Sequence, residues 1–369
     1  MKKILMVMAA VVLAAGGFRA AGQEVGLRPG QDGTDAPARR ALVTLSHCNV
    51  RVEPDYESAL DNQFLMGRVV EVLDQDRYWV KVGYDEAGRQ LTGWVNELML
   101  TEVDEAGLDG WLRAPRYICT AEMSHVYAEP SAKSSYVTEW TMGDIARQVV
   151  DGRGKPVRSG KFLAVALPDG RRGYVPKGTA VDFRRWAERC DPTPENVIAT
   201  AERFLGSPYL WGGTTIKGVD CSGFMQLAFF MNGVLLPRNA SSQARCGVDV
   251  WVAGVPVEAT GALSGAAGAL QVLPDSRIVR PGDLFTFGTA ADGEKPERTS
   301  HIAISLGGLR ILQSSQVVRE NTLEPGQPDT YDRAPLRVRR VFPAEPGLDA
   351  WRGVPGVTLV KDSPLYFAQ

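Results

Sequence analysis

A glycine-rich stretch that runs directly into a helix with a cysteine at its start is the strongest constraint on this chain. Residues 211–221 read Trp-Gly-Gly-Thr-Thr-Ile-Lys-Gly-Val-Asp-Cys, and Ser222 and Gly223 follow. After Gly223, apolar residues recur at the i, i+3, i+4, i+7 spacing of a helix with one face in a core. These residues are Phe224, Leu227, Ala228 and Met231. Cys221 is therefore predicted in the first turn of a core helix.

Cys221 is the candidate nucleophile. Unpaired amide groups and the positive end of the dipole at a helix start favour a thiolate, and cationic neighbours can lower a cysteine pKa to roughly 3.5–7.5. The alternative is a small buried hydrophobic residue, which is what most cysteines are. The glycine-rich turn before Cys221 lets backbone and substrate approach closely, which packing alone does not require. We therefore expect Cys221 to be a thiolate.

His301 is the candidate base, because it is the only one of three histidines in the region that carries Cys221. Residues 301–306 are typical of a strand, and Gly307-Gly308 predicts a tight turn into a second strand. His301 and Gln313 would then face each other across a hairpin. A cysteine nucleophile needs an imidazole and a third polar group that fixes its tautomer, and these two residues suit those roles. The alternative is an ordinary surface histidine at the start of a strand.

Five stretches around these residues resemble the NlpC-type cell-wall cysteine peptidases, papain-like enzymes that cut peptidoglycan stem peptides. The stretches are FLGSPYLWGG (204–213), GVDCSGF (218–224), LPR (236–238), PGDLF (281–285) and SHIAI (300–304). The resemblance spans about residues 195–345 and implies that Cys221 attacks, His301 acts as base and Gln313 orients the imidazole. The family often has histidine at the third place. Glutamine can still accept the imidazole N–H through its side-chain oxygen.

The resemblance also implies substrate-binding residues next to the nucleophile. Tyr209 is similar to the family tyrosine beside the cysteine, and Asp220 and Ser222 flank Cys221 as in relatives that recognise L-Ala-γ-D-Glu. Structural roles remain open for the same positions. Tyr209 and Trp211 can be core aromatics, and Asp220 can be a helix N-cap, a role compatible with function.

A departure from those relatives lies at Arg238-Asn239-Ala240, where they carry Arg-Asp-Ser. There the aspartate helps to hold the free amino terminus of the stem peptide. Asn239 can accept a hydrogen bond but brings no negative charge. The requirement for a free L-Ala amine, like the identity of the diamino acid, is therefore open at this point.

The amino terminus predicts export. Lys2 and Lys3 precede an apolar run over residues 4–17, and Ala20-Ala21-Gly22 has the small-x-small pattern of a signal-peptidase site. The run is shorter than the ~20 residues that a transmembrane helix needs. We expect a signal peptide over 1–22, a flexible lead-in over 23–40, no membrane span, and a periplasmic or secreted location.

Composition excludes several other classes of protein. A net charge of −2 with no basic stripe argues against a nucleic-acid partner. The five cysteines form no C-x-x-C pair and the histidines are scattered, so we expect no metal and no cofactor. An odd cysteine count in an exported chain leaves at least one free thiol. The oligomeric state is unknown from sequence.

Residues 46–101 alternate apolar and polar positions in short segments, which predicts a small β-barrel. The strings NVR, YWVKV and GWV there resemble bacterial SH3-like domains, which commonly accompany NlpC-type domains. A diverged second copy is predicted between 116 and 183. The barrels can be wall-binding adaptors, or the first can shape the substrate end. Tyr84 and Arg68, in or beside its loops, are candidates for that role against the alternative of plain solvated residues.

The sequence thus predicts an α+β chain in which two small SH3-like β-barrels, over 41–103 and 104–186, precede a papain-like NlpC-type domain over 190–345. Residues 247–279 are expected to be a loop insertion near the cleft rim, and 346–369 a wrapping tail. The expected reaction is hydrolysis of the γ-D-glutamyl to diamino-acid bond of a peptidoglycan stem peptide or turnover fragment. Two alternatives stay open: an N-acetylmuramoyl-L-alanine-type amidase with the same Cys-His pair, and a catalytically silent wall-binding protein.

Overall fold

The structure is a computed structural model that describes residues 38–86, 88–255 and 273–368. The predicted signal peptide and most of the predicted lead-in lie outside the described residues. So do residues 256–272 of the predicted insertion. Within the described ranges, no helix combines the length and apolar character needed to cross a bilayer.

The first β-rich region, which we call the first sheet, is antiparallel and covers residues 40–103. Its strands are β1 (Arg40–Val43), β2 (Cys48–Arg51), β3 (Leu60–Phe64), β4 (Val69–Asp76), β5 (Trp79–Glu86), β6 (Arg89–Asn96) and β7 (Leu100–Val103). Their order is β3-β2-β6-β5-β4-β1-β7. Because side chains alternate between faces, the inward positions form one apolar core that includes Val50, Val82 and Val95.

The second sheet covers residues 116–182, after helix α1 (Glu105–Arg113). Its strands are β8 (Arg116–Cys119), β9 (Met123–Tyr127), β10 (Tyr136–Thr141), β11 (Ile145–Gln148), β12 (Arg158–Ser159), β13 (Phe162–Ala166), β14 (Arg172–Pro176) and β15 (Ala180–Asp182). Their order is β10-β9-β14-β13-β11-β8-β15, with β12 paired to β13. Apart from β12, this order matches the first sheet position by position. In both sheets a 3-10 turn precedes the last strand, at Glu97–Met99 and Lys177–Thr179.

The remaining residues form an α+β region. Its helices are α2 (Phe183–Arg189), α3 (Pro194–Glu202), α4 (Cys221–Phe230) and α5 (Ala240–Gln243), with 3-10 turns at Leu348–Gly353 and Val360–Asp362. Its strands are β16 (Thr214–Thr215), β17 (Gly218–Val219), β18 (Val234–Leu235), β19 (Val248–Val252), β20 (Leu284–Thr289), β21 (Arg298–Gly307), β22 (Arg310–Ser315), β23 (Val317–Thr322), β24 (Pro335–Arg340) and β25 (Thr358–Leu359). Six of them form a sheet in the order β19-β24-β20-β21-β22-β23.

Helix α4 is the centre of this region, and it is buried on all sides except at Gln226. The sequence predicted one buried face, but the helix is apolar around its circumference, which is typical of a fully enclosed helix. Its aromatic side chains contact the carboxyl-terminal segment, with ring centroids 5.7 Å apart for Phe230 and Tyr366 and 6.1 Å apart for Phe229 and Trp351. The carboxyl-terminal segment therefore packs against α4 through these rings.

The expectation of a loop over 247–279 is wrong for its first part. Residues Val248–Val252 form strand β19, which pairs with β24 at the edge of the six-stranded sheet. Trp251 is fully buried there and packs with Phe285 and Phe287. The Ala- and Gly-rich composition that follows obscured this short strand in the sequence.

Tyr84 and Arg68 are not solvated loop residues. Tyr84 lies within β5 with only 2% of its surface exposed, and its ring packs edge-on against Phe64. The largely buried Arg68 side chain forms a 3.0 Å ion pair with Glu86, which accepts a 2.8 Å hydrogen bond from Gln226 of α4. The first sheet is therefore joined directly to the helix that carries Cys221.

Asp144 joins the two sheets. This fully buried carboxylate, in the turn before β11, accepts hydrogen bonds from the Ser46 hydroxyl at 2.5 Å and the Met66 amide at 3.0 Å, both in the first sheet. It also accepts from the amide of Thr141 in its own sheet at 2.7 Å. Burial raises the pKa of Asp144 to about 7 despite these donors.

Candidate active site

Cys221 is the first residue of α4, as predicted. Asp220 is the N-cap, and its carboxylate accepts a 2.7 Å hydrogen bond from the amide of Gly223. The backbone amides of Ser222 and of Ile302, the residue that follows His301, lie near enough to the sulfur to lower the pKa of Cys221. Cys221 is 6% exposed, so it is nearly enclosed but not sealed from solvent. The fold thus brings the cysteine of α4 to the strand that carries the histidine.

The expected thiolate is not what this environment favours. Burial, followed by the negative charge of Asp220, raises the pKa of Cys221 to about 12. The backbone amides of Ile302 and Ser222 and the Arg238 charge lower the pKa of Cys221, but their effects are smaller. The helix start and nearby cation suggested the wrong sign because the sequence does not reveal how deeply the sulfur is buried. The resting side chain is a neutral thiol.

His301 and Gln313 face each other across the β21–β22 hairpin, as predicted. The ring Nε2 of His301 lies 2.6 Å from Oε1 of Gln313, and both side chains are buried. The hairpin turn is formed by Gly308 and Leu309, directly after Gly307 at the end of β21. Gly307 and Gly308 both have positive φ, a conformation that favours glycine. Phe287 and Tyr331 pack beside the imidazole, each with its ring centroid 5.6 Å from that of His301.

This hydrogen bond determines which ring nitrogen can act as a base. An amide oxygen only accepts, so Nε2 of His301 carries the proton and Nδ1 keeps its lone pair. Burial lowers the pKa of His301 to about 4, although the Gln313 hydrogen bond acts against it. The imidazole is therefore neutral near pH 7, with Nδ1 able to accept a proton.

Asp220, Ser222 and Arg238 form one buried network beside the nucleophile. Arg238 binds Asp220 through two hydrogen bonds, at 2.6 and 3.1 Å, and donates to the Ser222 hydroxyl at 3.2 Å. Such a forked ion pair fixes both partners. The hydrogen bond from the Gly223 amide confirms the N-cap interpretation of Asp220. The same carboxylate also accepts a 3.1 Å hydrogen bond from the amide of Gly212.

Strand β3 of the first sheet completes this network, and sequence reasoning missed it. Asn62 accepts a 2.8 Å hydrogen bond from Arg238, and the Gln63 carbonyl accepts a 2.7 Å bond from the Thr214 hydroxyl. Gly212 is necessary here, because a Cβ at that position would lie 2.6 Å from the Leu60 carbonyl oxygen. The only local signal was the polar run Asp-Asn-Gln at 61–63 inside an otherwise alternating strand.

Asp61 is the member of that run with an available side chain. It is exposed, and its carboxylate makes no hydrogen bond or ion pair with any residue in the described ranges. Partial loss of solvent around the carboxylate raises the pKa of Asp61. The positive charge of Arg238 lowers this pKa, and the negative charge of Asp220 raises it. Those two neighbours place this carboxylate beside the network that holds Cys221.

The remaining predicted residues differ in exposure. Tyr209 is half-buried, and burial, together with the proximity of Cys221 and of the Asp220 carboxylate, raises its pKa, which places its hydroxyl near the nucleophile. Trp211 is 63% exposed, so the core interpretation is wrong for it. Asn239 is the half-buried residue before α5 and its side chain makes no capping hydrogen bond, while Ala240 is buried.

Comparisons with known proteins identify the family to which this site belongs. The NlpC/P60 family matches residues 206–332, which include Cys221, His301 and Gln313. The γ-D-glutamyl-L-lysine dipeptidyl-peptidase of Bacillus subtilis (strain 168) is 32% identical over 294 residues, which cover 78% of this chain and 82% of that protein. The chain belongs to the NlpC/P60 family.

Two further comparisons extend this likeness, the second in the fold alone. The γ-D-glutamyl-L-lysine dipeptidyl-peptidase of Bacillus cereus (strain ATCC 10987 / NRS 248) is 26% identical over 296 residues, covering 77% of this chain and 76% of that protein. The crystal structure of an NlpC/P60 family protein from Bacillus cereus ATCC 10987 has a TM-score of 0.62 at 22% identity and covers 82% of this chain and 100% of that chain. The papain-like NlpC/P60 fold is therefore shared, and the chain is a hydrolase of the cysteine peptidase class.

Proposed function

We propose that this NlpC/P60 peptidase hydrolyses the bond between γ-D-glutamate and the diamino acid of peptidoglycan stem peptides or their turnover fragments. The observation that carries the proposal is the buried 2.6 Å hydrogen bond between His301 on β21 and Gln313 on β22. His301 directly precedes Ile302, whose backbone lies near the Cys221 sulfur. The two curated relatives, named as γ-D-glutamyl-L-lysine dipeptidyl-peptidases, support this choice of bond.

The geometry suggests a general-base mechanism from a neutral pair. Cys221 Sγ bonds to the γ-carbonyl carbon of D-glutamate as its proton passes to Nδ1 of His301. Main-chain amides at the start of α4, including that of Cys221, stabilise the oxyanion. His301 then protonates the departing amine. Finally it deprotonates a water molecule that attacks the thioester, releases the γ-D-glutamyl acid and restores the thiol.

Asp61 is the residue that we propose for binding the free L-Ala amine of the substrate. It supplies the negative charge that Asn239 lacks, and its exposed carboxylate lies beside the Asp220–Arg238 network. An ammonium group beside a partly desolvated carboxylate gains a charge-assisted hydrogen bond. Tyr209, whose half-buried side chain lies close enough to Cys221 and Asp220 for both to influence its pKa, would contact the scissile region. Asp220, Ser222 and Arg238 would act mainly by holding the site.

The domain organisation remains part of the proposal. Two SH3-like barrels over 41–103 and 104–186 are supported by the common strand order and by the matched 3-10 turns. The peptidase domain covers 190–345, and the tail covers 346–369. A signal peptide over 1–22 and a periplasmic or secreted location fit a substrate that lies outside the cytoplasm.

The decisive experiment is product identification on purified stem peptides, and on muropeptides that keep the muramic acid, with meso-diaminopimelate or lysine as the diamino acid. The expected product by mass spectrometry is L-Ala-γ-D-Glu with the diamino acid released, lost in Cys221→Ser and retained in Cys190→Ser. Cys190 is a suitable control because it lies in another segment, before α3. Release of the intact stem peptide from muramic acid would identify an amidase instead. Binding to peptidoglycan without any product would identify a silent wall-binding protein.

The amine-binding role of Asp61 has its own test. Peptides with a free and an acetylated L-Ala amine should differ in kcat/KM by at least about tenfold, as expected for loss of a charge-assisted hydrogen bond. The Asp61→Asn variant should reduce that preference mainly through KM. An unchanged preference in Asp61→Asn would show that the amine binds elsewhere.

A further inference from the structure

The third member of the site, Gln313, has a property that a carboxylate lacks, because its amide has an accepting end and a donating end. Only the Oε1 end can accept the proton of His301 Nε2. If the amide were rotated by half a turn, its Nε2 would donate to that ring nitrogen, and the imidazole proton would move to Nδ1. His301 could then no longer accept the thiol proton there. The orientation of one amide group therefore decides whether His301 is a base.

A second amide fixes that orientation. Gln313 Nε2 donates a 2.8 Å hydrogen bond to Oδ1 of Asn321, and Asn321 Nδ2 donates a 2.9 Å bond to the main-chain carbonyl of Asp329. A carbonyl oxygen only accepts, so the direction of every bond in the chain is set from this end. Gln313 and Asn321 are both buried, which makes a reversed, unsatisfied arrangement costly.

The sheet register places the three side chains on successive strands. His301 is on β21, Gln313 on β22 and Asn321 on β23. Gln313 is paired with Arg319, and Asn321 is two residues further on, so it is the diagonal neighbour on the same face. The main-chain amide of Thr322 also donates to the Asp329 carbonyl at 3.2 Å, which holds the accepting loop against β23.

We propose that Asn321 is a positioning residue of the active site. By holding the Gln313 amide, it keeps the proton of His301 on Nε2 and the lone pair on Nδ1. It touches neither substrate nor sulfur and acts only through Gln313. This inference rests on the proposed peptidase function for its kinetic test, whereas the tautomer of His301 can be measured without substrate.

The spectroscopic test uses the full chain labelled with ¹⁵N-histidine, which contains only three histidines. In the wild type, the His301 signals should be those of the Nε2–H tautomer. Asn321→Leu, which removes the acceptor at similar volume, should give a mixture with Nδ1–H. Asn232→Leu is the matched control, since Asn232 is also a buried amide but bonds to Ala228 and Thr200 away from the site. An Nδ1–H tautomer in the wild type would overturn the inference.

The kinetic test separates positioning from general structural support. Asn321→Leu should lower kcat by about ten- to a hundredfold, as for other residues that orient a ligating or catalytic side chain, with little change in KM. In a Gln313→Glu background, both oxygens of the side chain at position 313 can accept the His301 proton. Adding Asn321→Leu to that background should therefore lower kcat only slightly further. A merely structural role predicts the same fold-loss of kcat in both backgrounds. That result would overturn the proposal even if the wild type proves fully active.

Discussion

At the scale of single residues, the site is a neutral thiol beside a neutral imidazole. Burial moves the two pKa values in opposite directions, that of Cys221 to about 12 and that of His301 to about 4. Desolvation disfavours charge on either side chain, and the Gln313 amide adds none. Charge separation therefore develops only when the substrate carbonyl is attacked and the oxyanion is stabilised.

The pH dependence of kcat/KM tests this arrangement. His301 must be neutral to accept the thiol proton, so activity should fall as the pH drops through about 4 rather than through its ordinary value near 6.5. Asp61→Asn is the control, because Asp61 is an acid beside the site whose pKa burial also changes. An acidic limb near 6.5 in both proteins would contradict the buried neutral histidine.

At the scale of elements, the site depends on the start of α4, the β21–β22 hairpin and strand β3. The first two were predictable because their signals are local: apolar spacing after Gly223, and a Gly-Gly turn between two β-branched runs. Strand β3 and Asn321 were missed, because their partners Arg238 and Gln313 are identified only by tertiary contacts. The sign of the Cys221 pKa shift was missed for the same reason, since burial on all sides is a property of the assembled core.

Substitution of Gln313 tests the hairpin contact. Gln313→Leu removes the acceptor for His301 Nε2 and should lower kcat by at least tenfold. The upper bound is the loss of about 10⁴ in kcat that a wrong imidazole tautomer causes in a serine protease. Gln313→His restores an acceptor and should stay within about threefold of the wild type. Steady-state kinetics on the stem peptide measures both. Equal activity of the leucine variant would mean that the hydrogen bond does not matter for catalysis.

Substitution of Arg238 tests the contact between β3 and α4. Arg238→Lys keeps the charge but loses the fork that binds Asp220 and Asn62, so the free energy of unfolding should fall by about 1.5–3 kcal/mol. Arg352→Lys is the matched control, because its ion pair with Asp362 is solvent-exposed and should change stability by less than about 1 kcal/mol. Denaturant unfolding gives both values, and similar losses would argue against a structural role for the buried network.

At the scale of the whole molecule, the first sheet is held from two sides. Strand β3 and Glu86 bind the α+β region, and Ser46 and Met66 bind Asp144 of the second sheet. The sequence predicted two similar β-rich regions from repeated patterns. It did not predict their contacts, because the polar atoms involved are distributed over distant parts of the chain.

Removal of the Asp144 carboxylate tests the contact between the sheets. Asp144→Ala leaves several buried donors without an acceptor and should lower the free energy of unfolding by about 2–4 kcal/mol at pH 6. Folding raises the pKa of Asp144 to about 7, so the folded state binds this proton more tightly than the unfolded state does. The resulting stabilisation is fully present below about pH 4 and is lost as the pH rises toward 7. Asp109→Ala, an exposed helical residue, is the control and should cost less than about 1 kcal/mol.

The most direct test of the central claim is to trap the covalent intermediate. The full-length protein is mixed with a stem peptide, quenched in acid within milliseconds, and mapped by mass spectrometry. The account predicts an L-Ala-γ-D-Glu thioester on the peptide that contains Cys221, absent in Cys221→Ser. Turnover that continues in Cys221→Ser, or an adduct on one of the other four cysteines, would contradict it.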